Sequence, residues 1–509
     1  MAFTPRPSAT TGRPIRGLID RLPDARIHGD GDTVVTGITH DSRAVQPGDL
    51  YLARPGEHAH GIDYVADAVA AGAVAVLTDA PSVPVALAVG VAAVVEVTDP
   101  RAATGPAAAW VYGDPAGALD VIGVTGTNGK TTTAYLLDGG LRASGRRTGV
   151  VGTIETRIGD EVVPSARTTP EATDLQALFA LMRERGVDAV AMEVSSHALA
   201  LDRVAGTTFA VAAFTNLSQD HLDFHADMDD YFAAKARLFT PAYSARAVVA
   251  VDDEWGRRLA RIAAVDVTSV GAAPADWVRI DESVSAIGGR TTLRAPDGAE
   301  HVVDVSLPGR FNVRNAAVAY VALVLAGIDA DAARAGIASV TTIPGRMERI
   351  DAGQPFLALV DYAHTPAAVT TLLAEVRALA GAGRVVLVLG CGGDRDRAKR
   401  PLMGAAAARG ADVAVLTNDN PRSEDPLAIL DAMAGGARAA GGTAEIVVEP
   451  DRRRAIALAV DRSAAGDVLV VAGKGHEQGQ EQDGVVTPFD DRVVLRQALG
   501  QALGEALAT

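Results

Sequence analysis

Lys130 stands at the end of a glycine-rich turn, Gly123-Val124-Thr125-Gly126-Thr127-Asn128-Gly129-Lys130-Thr131, and a cation in that setting is suited to holding a polyphosphate. The apolar run Val121-Ile122-Gly123-Val124 reads as a buried strand before the turn, and Thr131-Thr132-Thr133-Ala134-Tyr135-Leu136-Leu137 reads as the start of a helix after it. In a strand–loop–helix context, glycines let backbone N–H groups turn inward around phosphate oxygens, and the helix N-terminus adds positive potential. Lys130 then reaches the terminal phosphates, and the Thr131 hydroxyl is placed for Mg²⁺. The spacing departs from the commonest form of the motif, with Val124 where a glycine usually stands and glycines instead at Gly123 and Gly126. The reading is therefore an ATP or GTP site, against the plain alternative of a Gly-rich turn.

Other residues carry chemical potential in less committed ways. Glu193 ends the apolar strand Val190-Ala191-Met192-Glu193-Val194 and precedes Ser195-Ser196-His197. Alone it reads as a solvated strand-end charge, but beside a phosphate loop it suits Mg²⁺, a hard cation that wants oxygen ligands. Asn216-Leu217-Ser218-Gln219-Asp220-His221-Leu222-Asp223 is a polar run after another apolar strand. His221 there is a candidate metal ligand through its neutral imidazole, or a cap or core histidine. Lys235 shares a helical stretch with Tyr231 and Phe232, which by itself predicts a solvated lysine. Asp419-Asn420-Pro421-Arg422 reads as a turn, with Arg422 either exposed or able to grip a carboxylate through two parallel hydrogen bonds. Cys391 reads as a packed strand-end thiol. Arg452-Arg453-Arg454 reads as solvated arginines opening a helix capped by Asp451.

The elements that must position these residues divide the chain of 509 residues into three regions, too much for one core. The first, to about residue 111, mixes short strands such as Val74–Thr78 with Gly and Pro turns, and the breakers from Gly105-Pro106 to Gly113-Asp114-Pro115 mark a boundary. The second opens with the phosphate loop. The third starts after Pro344-Gly345-Arg346 and alternates strands with helices: Val385–Leu389, Val413–Leu416, Ile446–Val448 and Val468–Val471, with Leu402–Arg409, Pro426–Ala440 and Arg453–Ala464 between them. That is the βαβ signature of an open parallel sheet, where ligands gather beyond the carboxyl ends of the strands. The segments Cys391–Arg400, Asn418–Arg422 and Gly473–Glu477 all follow such strands.

Composition narrows the class. Hydrophobic residues make up 48%, enough for globular cores, while aromatics at 4% leave those cores to Val, Leu, Ile and Ala. A net charge of -16 argues against a general binder of nucleic acid or anionic membrane, though local Arg and Lys clusters still hold small anions. The single cysteine excludes an internal disulfide and suits a reducing cytoplasm. The longest apolar stretch, Val85–Val95, is too short to span a bilayer and contains Gly90. The first residues, with Arg6, Arg13 and Arg16 among prolines, read as a disordered tail.

The ordered set of G-V-T-G-T-N-G-K-T, E-V-S-S-H, N-L-S-Q-D-H-L-D, A-A-K, G-x-F-N-x-x-N, P-G-R-x-E, D-Y-A-H-T-P, G-G-D-R-D-x-x-K-R-P, D-N-P-R and G-K-G-H-E resembles the Mur ligases of peptidoglycan synthesis. Within them it looks most like the branch that adds the third residue of the stem peptide. The resemblance runs from Asp41-Ser42-Arg43 to the Glu477 region. It implies an α/β protein of three domains: a small N-terminal α/β domain that binds a UDP-sugar (1–111), a central ATP-binding domain with a mainly parallel sheet (112–346), and a C-terminal Rossmann-like domain that binds the amino acid (347–509). It also implies a cytoplasmic monomer working on UDP-MurNAc-L-Ala-D-Glu, meso-diaminopimelate and ATP with two Mg²⁺ ions, and no nucleic-acid or membrane partner.

The same resemblance distributes roles. Ser42 matches a uridine contact, and Thr168, Thr169 and Ser195 match contacts to the sugar–peptide, with Arg203 in a substrate-contacting segment. Leu201 stands where some relatives have a polar residue. Gly126 to Thr132 match the ATP loop, with Lys130 catalytic. Thr131 and Glu193 match ligands of the ATP-bound Mg²⁺, His221 a ligand of the second, and Lys235 the lysine carbamylated in the family, an anion able to bind that metal. Asn312 and Asn315 match the adenine side, Arg346 a phosphate contact and Asp361 a ribose contact. Arg395, Asp419, Asn420, Pro421, Arg422, Gly473 and Glu477 match the amino-acid pocket, where D-N-P-R marks diaminopimelate rather than lysine. Diaminopimelate carries a distal carboxylate that lysine lacks, so a pocket built around Arg422 leaves that charge unpaired with lysine. The implied reaction is ATP-dependent amide formation through an acyl phosphate. Its rivals are a lysine-adding ligase, a folylpolyglutamate synthase and a nucleotide-dependent regulatory ATPase.

Overall fold

Residues 5–56, 59–163 and 167–504 are described by a computed structural model. Three main sheets follow one another along the chain. The first runs in the order 26–29, 93–96, 75–78, 49–52, 37–39, parallel except for the antiparallel edge strand Arg26–Gly29. Its strands are the short apolar runs of the first region, and the stretch from Val85 to Val95 resolves into the end of the helix Val83–Ala88 and the strand Ala93–Glu96.

The Gly105-Pro106 pair is not a boundary. The helix Pro100–Val111 runs through it, N-capped by Asp99, whose carboxylate accepts from the Arg101 and Ala102 N–H groups. Gly105 is required by close packing instead: a Cβ there would lie 2.7 Å from Ala205 Cβ in the middle domain. The chain leaves that helix through Asp114, which adopts the left-handed conformation at φ 51°. Arg6 and Arg13 are not in a loose tail either. The Arg6 guanidinium donates to both oxygens of buried Asp49 at 2.8 Å, and Arg13 lies over the Trp110 ring. Residues 1–4 of that tail lie outside the described residues.

The middle sheet has eleven strands. Seven of them are parallel, in the order 148–151, 189–193, 120–125, 211–214, 246–250, 266–271, 277–285, and antiparallel strands close both edges. The phosphate-loop strand Asp120–Thr125 sits between the strand that ends in Glu193 and the strand Val211–Phe214 that leads into Asn216–His221. Three polar segments therefore leave the sheet side by side at its carboxyl edge, where open parallel sheets bind ligands.

The third sheet has six strands in the order 348–349, 357–361, 468–472, 385–391, 413–418, 445–448, parallel apart from the first. Its central strands are buried on both faces, which is why they read as unbroken Val and Leu runs. The helices Lys399–Gly410, Pro426–Ala439 and Arg452–Asp461 pack between them, within three residues of the expected limits at each end. Asp361, Cys391, Asn418 and Ala472 end four of the strands on one edge, which faces the middle domain. Among the described residues no helix is long and apolar enough to cross a membrane.

Candidate active site

The phosphate loop is held open by its neighbours rather than by its own residues. Thr127 N–H donates to Asn216 O at 2.9 Å, Asn128 N–H to Asn216 Oδ1 at 3.0 Å, and the Thr215 hydroxyl to Asn128 O at 2.7 Å. Gly129 takes φ 90° as it caps the helix Lys130–Ala143, and a Cβ there would strike the Asn315 side chain, with Asn315 Cγ at 3.1 Å. Lys130 Nζ folds back on the loop and donates to the Gly126 and Thr127 carbonyls at 3.0 and 2.9 Å.

Glu193 is 1% exposed, so the plain strand-end reading does not hold. Its carboxylate accepts from the Thr131 hydroxyl at 3.0 Å, from Thr153 N–H at 2.8 Å and from the Thr153 hydroxyl at 3.1 Å. Arg346 Nη2 donates to Thr131 Oγ1 at 3.2 Å while its guanidinium lies 4.4 Å from the centre of the Tyr362 ring. Thr131, Glu193 and Arg346 thus meet at one point, although they come from three separated segments.

Lys235 is also buried, at 1% exposure, contrary to the solvated reading of its helix Met228–Ala236. Its ammonium nitrogen donates to Gly126 O at 2.9 Å and lies 4.6 Å from the centre of the Tyr231 ring. Burial and the neighbouring Lys130 push its pKa well below the usual lysine value, against the opposing pull of Asp220. His221, at φ 54°, stacks edge-on to His197 with ring centres 4.8 Å apart. Burial lowers its pKa to about 4 despite Asp220 beside it, which leaves a neutral imidazole with a lone pair at neutral pH.

Thr169 links the loop 167–171 to this centre. Its hydroxyl donates to Glu193 O at 2.9 Å and accepts from Ser195 N–H at 3.1 Å, while Thr168 and Thr153 hydroxyls are 3.0 Å apart. Ser195 caps the helix Ser196–Ala200 through Ala198 N–H. Arg203 Nε pairs with Glu171 at 2.7 Å, and Arg54 of the first domain takes the other Glu171 oxygen at 2.9 Å. Ser42 opens a short turn capped by Asp41, next to His40, whose Nδ1 lies 3.0 Å from Thr173 Oγ1.

These groups line a cleft of about 860 Å³ that includes Lys130, Thr131, Thr132, Thr168, Thr169, Glu193, Ser195, Arg203, His221, Asn315, Arg346, Asp361 and Arg395. Ser42, Lys235 and Asn312 are not on its wall. Asn312 is buried behind Asn315, whose amide donates to it at 3.4 Å. Both oxygens of Asp361 accept backbone N–H groups, from Met347 at 2.9 Å and Ala363 at 2.8 Å.

A second polar cluster forms beyond the third sheet. Asn420 Nδ2 donates to Glu477 Oε2 at 2.8 Å, and Lys474, fully buried, donates to Asn420 Oδ1 at 2.9 Å and Glu477 Oε2 at 3.2 Å. Gly473 takes φ 114°, and a Cβ there would lie 2.6 Å from Asp419 Oδ2. Arg422, at φ 53°, donates from Nη1 to Gly393 O at 2.7 Å and faces Glu481 at 3.5 Å. Asp419, Asn420, Pro421, Arg422, Gly473 and Glu477 are thereby together but off the cleft wall, and Arg395 alone of the expected amino-acid residues lies on it. Sequence reasoning missed Thr153, Glu171, Tyr362 and Lys474. The last two sit inside quoted motifs, and the first two have no local signal.

Cys391 is buried with Sγ 3.2 Å from Met403 Sδ, and burial pushes its thiol up to about 12, so it packs as an inert thiol. Arg452 departs from the solvated reading: it is 1% exposed and paired with Asp491, whereas Arg453 and Arg454 are exposed and Asp451 caps the helix as expected.

Family models match three consecutive parts of the chain: Mur ligase family, catalytic domain over residues 34–112, Mur ligase middle domain over 124–323, and Mur ligase, glutamate ligase domain over 345–475. The chain is 54% identical over 505 residues to the UDP-N-acetylmuramoyl-L-alanyl-D-glutamate--2,6-diaminopimelate ligase of Streptomyces coelicolor, covering 98% of this chain and 99% of the relative. It is 48% identical over 491 residues to the protein of that name from Corynebacterium glutamicum, covering 94% and 95%. A solved structure of a ligase of the same name superposes with a TM-score of 0.67 at 32% identity, covering 97% of this chain and all of that one.

Proposed function

This chain belongs to the Mur ligase family, and from that premise we propose that it joins meso-diaminopimelate to the D-glutamate of UDP-MurNAc-L-Ala-D-Glu with ATP converted to ADP and phosphate. The observation that carries this reading is the single cleft lined at once by the phosphate loop, by Thr168, Thr169 and Ser195, and by Arg346, Asp361 and Arg395 at the edge of the third domain. A ligase must bring a nucleotide, an acid and an amine together, and these are the surfaces for the first two, with the approach of the third.

In the proposed division, residues 1–111 hold the UDP-sugar, 112–346 the nucleotide and 347–509 the amino acid. The γ-carboxylate of D-glutamate attacks the γ-phosphorus of ATP. The bond to the β-phosphate oxygen breaks, and an acyl phosphate and ADP result. An amine of diaminopimelate then attacks the acyl carbon, loses a proton and expels phosphate. Lys130 turns from the Gly126 and Thr127 carbonyls to the transferred phosphoryl group, and Arg346 reaches it beside Thr131. Asn315 and Asn312 shape the adenine side, and Asp361, with both oxygens already oriented by N–H donors, takes the ribose.

The donors at Thr131 and Glu193 are hard oxygens and fit Mg²⁺. His221 and a carbamate on Lys235 are the proposed ligands of a second ion. Mg²⁺ at these positions supplies neutralisation of the phosphate charge. Burial, then Lys130, pushes Lys235 toward the neutral amine, the form that reacts with CO₂. A reaction that consumes ATP and a sugar nucleotide belongs to the cytoplasm.

At the acceptor end, Arg422 grips the distal carboxylate and Glu477 the adjacent ammonium. Phosphate release with UDP-MurNAc-L-Ala-D-Glu, ATP and Mg²⁺ tests the whole reading when meso-diaminopimelate, L-lysine and no amino acid are compared. Release dependent on diaminopimelate, with a tripeptide product by mass, is expected. Release with lysine alone would remove the role of Arg422, and release indifferent to any acceptor would leave only an ATPase.

A further inference from the structure

Arg452 lies outside every segment assigned above, yet it is the largest fully buried side chain of the described residues. Its Nε and Nη2 donate to the two oxygens of Asp491 at 2.8 and 2.7 Å, a bidentate pair in which neither side chain is exposed. Two further guanidinium protons go to backbone. Nη2 donates to Ala472 O at 2.9 Å, and Nη1 to Asn418 O at 3.3 Å.

Those two carbonyls end two different strands, 468–472 and 413–418, and the strands are not neighbours. The strand Val385–Cys391 lies between them, with Leu389 opposite Ala472 and Cys391 opposite Asn418. One guanidinium therefore spans the end of the central strand and ties together the strands on either side. The next residues along the chain are Gly473 on one side and Asp419 on the other, the first residues of the two loops that form the Asn420, Lys474 and Glu477 cluster. The loops nearly touch there, since a Cβ on Gly473 would lie 2.6 Å from Asp419 Oδ2. The charge is also felt locally: Asp491 first, then Asp419 and Glu477, favour the guanidinium against the penalty of burial.

We infer that Arg452, held by Asp491, is a positioning residue that sets the spacing of the loops 419–422 and 473–477 and thereby the fit of the amino-acid substrate. The inference rests on the reading of those loops as the diaminopimelate pocket. A planar guanidinium is needed because it satisfies a carboxylate and two carbonyls in fixed directions, whereas a lysine ammonium keeps the charge but cannot reach all four acceptors together.

The test is steady-state kinetics of the full chain with each substrate varied in turn, for wild type, Arg452→Lys, Asp491→Asn and Arg422→Ala, with rates scaled to the folded fraction by circular dichroism. Arg452→Lys and Asp491→Asn are expected to raise KM for diaminopimelate about tenfold or more and to leave KM for ATP and for the UDP-dipeptide within about twofold. The two changes combined should cost no more than the larger alone, because they break one unit. Should Arg452→Lys fold poorly, the isosteric Asp491→Asn carries the same comparison. Equal changes in all three KM values, or a fall in kcat alone, would overturn the positioning role. If Arg422→Ala raises KM for diaminopimelate while Arg452→Lys and Asp491→Asn do not, the inference about Arg452 fails and the pocket stands. If Arg422→Ala leaves that KM unchanged, the pocket reading itself fails, and the inference with it.

Discussion

Replacing Glu171 by glutamine probes the joint between the first and middle domains. Glu171 is 6% exposed and receives Arg203 at 2.7 Å and Arg54 at 2.9 Å, with Arg167 at 3.5 Å. Burial raises its pKa, but Arg203 and then Arg54 outweigh it and hold the carboxyl at about 2 instead of 4.5. That gap corresponds to about 3 kcal/mol in favour of the folded state at neutral pH, of the same order as the cost of breaking a buried ion pair. Because the folded value is the depressed one, the contribution is complete above about pH 4.5 and is lost as pH falls toward 2. Urea unfolding followed by the fluorescence of Trp110, buried in the first domain, should show Glu171→Gln less stable by about 3 kcal/mol at pH 7. The difference should narrow to about 1.5 kcal/mol at pH 3. Arg203 lines the cleft, so KM for the UDP-dipeptide should rise while KM for ATP holds. A variant within about 0.5 kcal/mol of wild type at pH 7, or an equal loss at both pH values, would refute the reasoning.

Gly129→Ala forces a left-handed conformation on a residue with a Cβ, at about 1–2 kcal/mol, and pushes that Cβ into Asn315. Calorimetric titration with ADP should show affinity reduced about tenfold or more, and unchanged affinity would discount the contact. Lys130→Ala should abolish phosphate release while leaving the circular dichroism spectrum intact; persistent acceptor-dependent release would contradict the role given to this lysine. Burial, then Arg54, hold His40 at about 4 against an ordinary 6.5, so the unfolded chain binds the extra proton between those values. Stability should therefore rise with pH from about 4 to 6.5, by at most about 3 kcal/mol from this group, and His40→Gln should flatten that slope in denaturant titrations. Lys235 should give a carbamate carbon signal by NMR in ¹³C-bicarbonate that is missing from Lys235→Arg; a wild-type spectrum without it, together with full activity in CO₂-free buffer, would remove the modification from the reading.

The parts of the fold that could be read from sequence are those fixed by continuous burial. Val385–Cys391 and Val468–Ala472 lie inside a parallel sheet covered on both faces, so a run of apolar residues is both necessary and visible. The phosphate loop was legible because its turn needs particular residues in order. What was not legible is set by approach from elsewhere in the chain. Gly105 resembles a breaker until Ala205 is seen against it, and Arg6 resembles tail until Asp49 receives it. Lys235 and Arg452 are polar residues on helices whose own sequences do not reveal which face is covered. Their burial follows from Gly126 and Tyr231 in one case, and from Asp491 and two strand ends in the other. Site membership without local signal, as for Thr153, follows from its place just after the strand Thr148–Val151, which lies beside the one that ends in Glu193.

The shifted lysines and histidines around the phosphate loop move in one direction, and burial is the first cause of each. His221 and Lys235 are both pushed toward their neutral forms, first by burial and then by cations, with Lys130 acting on each. His364 and His476 follow the same direction, with Arg346 contributing to both. Burial thus makes this centre unfavourable for further positive charge, with Lys130 and Arg346 adding to the effect and Asp220 opposing it, in a chain that is strongly acidic as a whole. A site organised in that way is complementary to an anion: a triphosphate reverses the local potential and draws on the same Lys130 and Arg346 that depress their neighbours. A neutral His221 imidazole offers a lone pair to the proposed second metal ion, and a carbamate on Lys235 puts an anion where an ammonium would repel both Mg²⁺ and the adjacent lysine.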